Sequence, residues 1–342
     1  MEPRKGTLYF ISESDLLTRK GTGYFKIGLV NDSRLGGSTE RAGEHQTGNP
    51  RKLDVHAEVP SAAIRELETL MHSLWAPSRI LGEWFILNPR ELSKAVSTAE
   101  GYASQQSSIE GDMEKSKKNA ALLSNGRSRK PTTDESELLR EYQKAVFELA
   151  TIKKVFDLEV NLFRTLLDES PDKASLYAWR APDRSEQFDG ERFKKAHPDL
   201  YERYSEKVVK AGGRATITKP KSGEVSLPRS LVKLLDEQES AVEAAGRKPA
   251  DSLLREVHLR HLAIRALYGD ASWREDVATV QIKAACGKYD SVDGVIKWAR
   301  SETETSSFSS ANLKKDNPSL YQKFCTKKVS PKFEIKNLRA YP

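Results

Sequence analysis

Near the start of the chain, two short β-rich runs are set off by glycine and polar clusters. Thr7-Leu8-Tyr9-Phe10-Ile11-Ser12 and Tyr24-Phe25-Lys26-Ile27-Gly28-Leu29-Val30 predict strands. Over residues 52–59, Leu53, Val55, Ala57 and Val59 alternate with Lys52, Asp54, His56 and Glu58, the period of two expected of a half-buried strand. From Pro60 the period becomes helical. Ile64, Leu67, Met71, Leu74 and Trp75 form one stripe, and Pro77 and Gly82 punctuate its end. Glu83-Trp84-Phe85-Ile86-Leu87 predicts a further short strand, with a helix following from Asn88-Pro89. Residues 1–100 therefore read as an α+β domain with a small mixed sheet and flanking helices.

The pattern then weakens. Residues 101–133 carry Ser104 to Ser108, then Lys115, Lys117 and Lys118, then Asn125-Gly126-Arg127-Ser128-Arg129-Lys130-Pro131. This composition predicts a basic polar linker with one weak helix around Met113–Leu123. Beyond it the chain repeats itself. Residues 188–209 and 308–329, at a shift of 120, share eight identities, including Phe188/Phe308, Lys194/Lys314, Lys195/Lys315, Pro198/Pro318, Tyr201/Tyr321 and Lys207/Lys327. Leu138-Leu139-Arg140-Glu141 recurs as Leu253-Leu254-Arg255-Glu256, and Trp179 as Trp298. The expectation is a tandem pair of mainly helical modules, residues 134–228 and 229–342, the second ending in a basic tail. Each would hold a long helix, an aromatic segment and a Lys-Lys-x-x-Pro-x-Leu-Tyr helix leading into a short strand.

Composition narrows the class. With 37% hydrophobic and 31% charged residues, no run nears the roughly 18 apolar residues of a spanning helix, so no membrane partner is expected. The start lacks the apolar stretch of a secretory signal. Two cysteines, Cys286 and Cys325, suit a reducing cytoplasmic setting. The formal net charge is +7, yet residues 1–100 hold 13 basic and 13 acidic side chains, so the excess lies beyond them. Residues 308–342 carry eight basic and two acidic side chains among Phe308, Tyr321, Phe324 and Phe333, a composition suited to a phosphate backbone or to a solvated surface. His258-x-x-His261 has helical spacing without a neighbouring cysteine and reads as core or surface rather than zinc. No Gly-x-x-x-x-Gly-Lys-Ser/Thr loop argues for a nucleotide triphosphatase.

The specific signal lies in the first hundred residues. In order they show Leu8-Tyr9-Phe10-Ile11, Phe25-Lys26-Ile27-Gly28, Arg41, Thr47-Gly48-Asn49-Pro50, Leu67-Glu68 with His72, and Gly82-Glu83-Trp84-Phe85. This series resembles the GIY-YIG nuclease superfamily over about residues 6–98, in the branch of phage open-reading-frame DNA-binding domains and meiotically up-regulated gene products. The resemblance implies Tyr9 as the first-motif tyrosine, Lys26 where the second motif carries tyrosine, Arg41 as the catalytic arginine, and Glu68 as the ligand of a divalent ion, Mg²⁺ or Mn²⁺. Independently of it, on a helix Glu68 lies about 40° from Ile64 and about 20° from Trp75, at the margin of the apolar stripe. A carboxylate there needs a cation, whether metal, Arg41 or Lys26. His72 follows one turn later on nearly the same face.

Tyr24 could stand in for the phenol that Lys26 replaces, Gly28 allows a tight strand exit or close backbone approach, and Glu83 is either a second site carboxylate or a surface residue. The repeats faintly resemble accessory segments of phage recombination exonucleases, through Trp179, Lys194, Pro198 and Tyr201 and their counterparts. That implies a DNA context, with Lys194, Lys195, Lys207, Lys314, Lys315, Lys327 and Lys328 as candidate phosphate contacts. The resulting expectation is a metal-dependent DNA endonuclease, in phage restriction, defence or DNA processing, and a homodimer if one site is to cut both strands. A noncatalytic DNA-binding protein on the same fold is the alternative, and a protein-binding scaffold a third.

Overall fold

The structure, a computed structural model, describes residues 4–32, 36–169, 177–179, 182–183, 186–221, 226–244, 250–327, 330–331 and 334–336. It is a mixed α+β protein. Strands β1 (Gly6–Ser14) and β2 (Gly21–Asn31) form a hairpin, followed by α1 (Gly37–Gln46), β3 (Lys52–Ser61), α2 (Ile64–Leu74), the hairpin of β4 (Arg79–Leu81) and β5 (Trp84–Ile86), and α3 (Pro89–Ser108). The strand order is β3-β1-β2-β5-β4, and every neighbouring pair is antiparallel. The expected mixed sheet is thus corrected. Two pairs are closed by short hairpins, and the α1 connection carries the chain past β1 to its other side, where β3 runs antiparallel to β1.

Alternation along the strands separates two cores. Leu8, Phe10, Ile27 and Phe85 pack on one face with Ile64, Leu67 and Met71 of α2 and Leu92, Ala95 and Ala99 of α3. Tyr9, Ile11 and Leu53 pack on the other with Ala42 of α1, against Val55 and Trp84. Helix α3 starts where Asn88 accepts from the Arg90 and Glu91 backbone while Glu91 accepts from the Asn88 backbone, a reciprocal cap ahead of Pro89.

Much of the stretch expected to be a linker is helical and packed. Helix α3 runs on to Ser108 and α4 spans Glu110–Ala120. Ile109 and Met113 are buried against Ala62, Ala63 and Val280, and buried Gln106 hydrogen-bonds Ser61 and the Ala63 backbone. The sequence hides this because three apolar contacts among many polar residues make a weak period. Residues 119–124 are then held by Arg300, whose buried guanidinium donates to the carbonyls of Asn119, Gly287 and Tyr289.

After β6 (Ser128–Arg129) come two helices of 37 residues each, α5 (Thr133–Glu169) and, past α8 (Arg229–Ala244), α9 (Ala250–Cys286). At 1.5 Å per residue each spans about 55 Å, and they pack on one another. Their seam buries His261 against Glu159, 2.8 Å apart, while His258 Nε2 donates to the Lys336 carbonyl at 2.9 Å. Helix α9 also packs on α2. A Cβ on Gly269 would lie 2.8 Å from Ser73 Cβ, so glycine permits this approach.

Strands β7 (Ala178–Trp179), β8 (Pro182–Asp183) and β9 (Glu186–Phe188) lead to α6 (Gly190–Ala196), α7 (Pro198–Arg203) and β10 (Ser205–Ile217). Later, β11 (Ser291–Val292) and β12 (Ile296–Phe308) lead to α10 (Ser310–Asp316), α11 (Pro318–Lys323), β13 (Cys325–Lys327), β14 (Ser330–Pro331) and β15 (Glu334–Ile335). The repeated Lys-Lys-x-x-Pro-x-Leu-Tyr run is therefore two helices rather than one. Each breaks before proline, whose ring disfavours helical backbone at His197 and Asn317.

The two strand–helix–helix–strand units interlock instead of following one another as separate bodies. Antiparallel pairing joins β10 to β12 and β9 to β13. Moving Phe188 forward and Cys325 back by 120 positions turns the Phe188↔Cys325 pair into Phe308↔Ser205. The same operation relates the Asp189 N–H to Phe324 carbonyl bond, at 2.8 Å, to that from Ser309 to Tyr204, at 2.9 Å. Phe308 stacks on Tyr201 at 4.5 Å and Phe188 on Tyr321 at 5.0 Å, around a shared core of Phe193, Leu313 and Phe324. In this register Trp298 corresponds to Ala178, one position from the Trp179 expected. No helix among the described residues is long and apolar enough to cross a membrane.

Candidate active site

The β4–β5 hairpin covers only the first half of β2. Tyr24, Phe25 and Lys26 pair with β5, and Ile27 N–H donates to the Glu83 carbonyl, after which the β2 edge is open on that side. Helix α2 crosses this edge, and the Leu29 backbone hydrogen-bonds the Glu68 carboxylate. A cleft of about 400 Å³ opens here, lined by Tyr9, Leu29, Arg41, Arg65, Glu68, Thr69 and Glu83. Strand, helix and hairpin residues far apart in sequence thus meet at one sheet edge.

Tyr9 faces Gly28 across the β1–β2 ladder. A Cβ on Gly28 would come within 2.5 Å of the Tyr9 hydroxyl oxygen, so the glycine is required by the ring lying across it. Gly28→Ala is expected to cost about 1–3 kcal/mol in denaturant unfolding, because the ring must leave its place. An unchanged midpoint would show that the ring does not rest on Gly28. Burial pushes the Tyr9 phenol above its ordinary range, although a hydrogen bond from Arg41 and that cation's charge act the other way. Arg41 also donates to Glu44 at 2.6 Å on its own helix.

The two carboxylates titrate apart. Burial, then the negative charge of Glu83, raises Glu68 to about 7, against the pull of Lys26, Arg79 and the Leu29 backbone. Burial works on Glu83 in the same sense, but the hydrogen bond and charge of Lys26 outweigh it and hold Glu83 below its usual value. Lys26 Nζ, nearly buried, is bonded to Glu83. Neighbouring acids with separated pKa values hold one charge firmly and leave the other available for a cation or a proton.

Not every expected residue joins the cleft. His72 Nε2 donates to the Ile27 carbonyl at 2.9 Å and its ring lies 5.5 Å from Phe85, so it pins α2 to β2; burial lowers its pKa. Tyr24 sits on β2 opposite Ile86 and is not among the lining residues. The candidate phosphate-binding lysines are also elsewhere. Lys194 and Lys314 lie 5.2 and 5.5 Å over the rings of Tyr201 and Tyr321. Lys195 shares a shallow groove with Asp189, Glu191 and Arg192, and Lys315 another with Arg203, Glu206 and Asp316, so both surfaces are of mixed charge. Lys207 is on β10 opposite Ser306 and Lys327 on β13 opposite Glu186, while Lys328 lies outside the described residues.

Two further residues stand beside the expected ones. Arg65 lines the cleft three positions before Glu68, and His45 stands four after Arg41, spacings that share a helix face. His45 Nε2 is buried with no hydrogen-bond partner among the described residues. Burial first, then the charges of Lys26 and Arg41, lower its pKa. Helical spacing from the two strongest motif residues was the signal that would have found them. No family model matches the chain, and neither a curated protein nor a solved structure does.

Proposed function

We propose that residues 6–98 form a GIY-YIG-type endonuclease centre that hydrolyses DNA phosphodiester bonds with Mg²⁺ or Mn²⁺. The observation that carries this reading is the convergence of Tyr9, Arg41, Glu68 and Glu83 in one cleft. The donor chemistry fits such an ion. Glu68 is a half-buried carboxylate raised to about 7 beside the negative Glu83, a repulsion that a divalent cation relieves. Mg²⁺ takes one or two carboxylates with substrate oxygens, and Glu68 with Glu83 nearby offers that number.

When bound, the ion supplies positive charge to a phosphoryl oxygen. Glu68 would hold it, with Glu83 nearby but engaged by Lys26. Arg41, fixed by Glu44, presents its guanidinium beside the Tyr9 hydroxyl, where a phosphate oxygen gains charge in the transition state. Because burial disfavours the Tyr9 phenolate, its hydroxyl orients the attacking water by hydrogen bonding rather than by standing deprotonated. The two interlocked units are read as copies of one module, supported by the register that repeats at a shift of 120.

One observation favours the noncatalytic DNA-binding alternative. Lys26, where the second motif carries a tyrosine, spends its charge on Glu83. Incubation of the protein with linear and supercoiled DNA separates the readings. Cleavage with Mg²⁺ or Mn²⁺ that is lost in EDTA and in Glu68→Ala is expected. Salt-sensitive binding in EDTA with no products under either metal would replace the nuclease by a binding protein.

A further inference from the structure

The helix that carries Glu68 also lines a second cavity. Arg65 and Thr69 belong to both linings, so the cleft continues over α2 into a groove of about 220 Å³ against α9. Gly269 makes the seam close, and Arg265, Tyr268 and Trp273 form the α9 wall. That volume is below the roughly 300 Å³ at which small-molecule sites begin, and so suits one group of a longer ligand.

Arg265 is the unusual member. Its guanidinium lies 5.6 Å from the Tyr268 ring and 6.0 Å from Phe156, and its Nε is buried without a hydrogen-bond partner among the described residues. Among those residues neither Arg265 nor Arg65 has an ion pair, and Arg79, on which Glu83 and Glu68 also act, feels Arg265 as a like charge. A half-buried guanidinium with no anion is costly, and one anion in the groove would answer both arginines. Of the acidic members, Asp276 is about 16 Å along α9 from Arg265, and Glu66, whose charge acts on Asp276, follows Arg65 on α2.

We propose that this groove is a phosphate subsite, in which Arg265, with Arg65 on the bridge, holds a backbone phosphate of the strand whose neighbouring phosphodiester enters the Glu68 cleft. The inference rests on the DNA-processing reading. It makes α9, outside the catalytic domain, part of the substrate path, and sets the direction in which the strand leaves the cleft.

Fluorescence anisotropy with a labelled, tailed DNA duplex in EDTA tests it over about 50 to 200 mM salt. Arg265→Gln is expected to weaken binding about tenfold near 0.1 M salt. It should also reduce the steepness of the logarithmic salt dependence by about 0.9, one duplex phosphate contact. Arg265→Lys is expected to keep the slope, which a loss of packing would not. If Arg265→Gln melts early, Arg65→Gln at an exposed position decides, with the same loss of slope expected. Unchanged slope and affinity in a folded variant, while the parent protein binds, would overturn the subsite and leave the nuclease reading standing. No binding by the parent protein at any salt would remove both.

Discussion

Glu68→Gln is expected to lower metal-dependent DNA cleavage by about 10³-fold while leaving DNA binding in EDTA within about twofold. The substitution keeps the shape of the side chain and removes only the charge that would hold the ion. The same carboxyl predicts a pH dependence. Glu68 is raised from 4.5 to about 7, so at pH 6 most of it carries a proton and cannot bind a cation. Cleavage at subsaturating Mg²⁺ should therefore rise through pH 7 and level off above it, whereas residual activity of Glu68→Gln should lack this limb. The stability sign is opposite. A carboxyl whose folded pKa lies above its unfolded value favours the fold most below pH 4.5, and that contribution declines as pH rises toward 7. Without metal, the parent protein should lose stability relative to Glu68→Gln across that window, and saturating Mg²⁺ should restore it at pH 8. Thermal melts at pH 5 and pH 8, with and without Mg²⁺, check this; parallel curves for the two proteins would mean that Glu68 titrates as an exposed acid.

Phe193→Ala is expected to be the most damaging substitution for stability, at about 3–5 kcal/mol. The ring is fully buried and lies 5.3 Å from Phe188, 5.5 Å from Phe308 and 5.1 Å from Phe324, residues drawn from both units. Because β10 pairs with β12 and β9 with β13, a cavity on one side withdraws contacts from the other. Leu313→Ala, at the position related by the shift of 120, should cost about 2–5 kcal/mol by the same mechanism. Urea unfolding followed by far-UV circular dichroism measures both. A loss below about 1 kcal/mol for Phe193→Ala would show that the two units do not share a core.

Where the code is local, the sequence was readable. The alternation of Leu53, Val55, Ala57 and Val59, the stripe of Ile64, Leu67 and Met71, and Asn88-Pro89 as a helix start each depend on neighbours within one or two turns, and each element formed as expected. Arg41, Glu68, Tyr9 and Glu83 could be picked out singly from motif order, and they line one cleft. For His72, helical spacing says which face a residue shares, not which strand lies beneath that face. The Ile27 carbonyl took it. In the polar stretch after residue 100 the local period is weak, because its few apolar residues are buried only against Ala62, Ala63 and Val280.

The sequence by itself determined β1, β2, β3, α2, β5 and the start of α3, and it carries the eight identities at a shift of 120. Only the tertiary structure decided that the sheet is antiparallel throughout, that β5 stops short and leaves the β2 edge for Glu68, and that the repeated units interlock through β9, β10, β12 and β13. It also set α9 against α2, beside the cleft. Strand and helix periods are local, enforced by backbone geometry within a few residues. Which edge stays open, and which carboxylate is desolvated there, depends on groups brought together from distant parts of the chain by burial of apolar surface that has no direction in sequence.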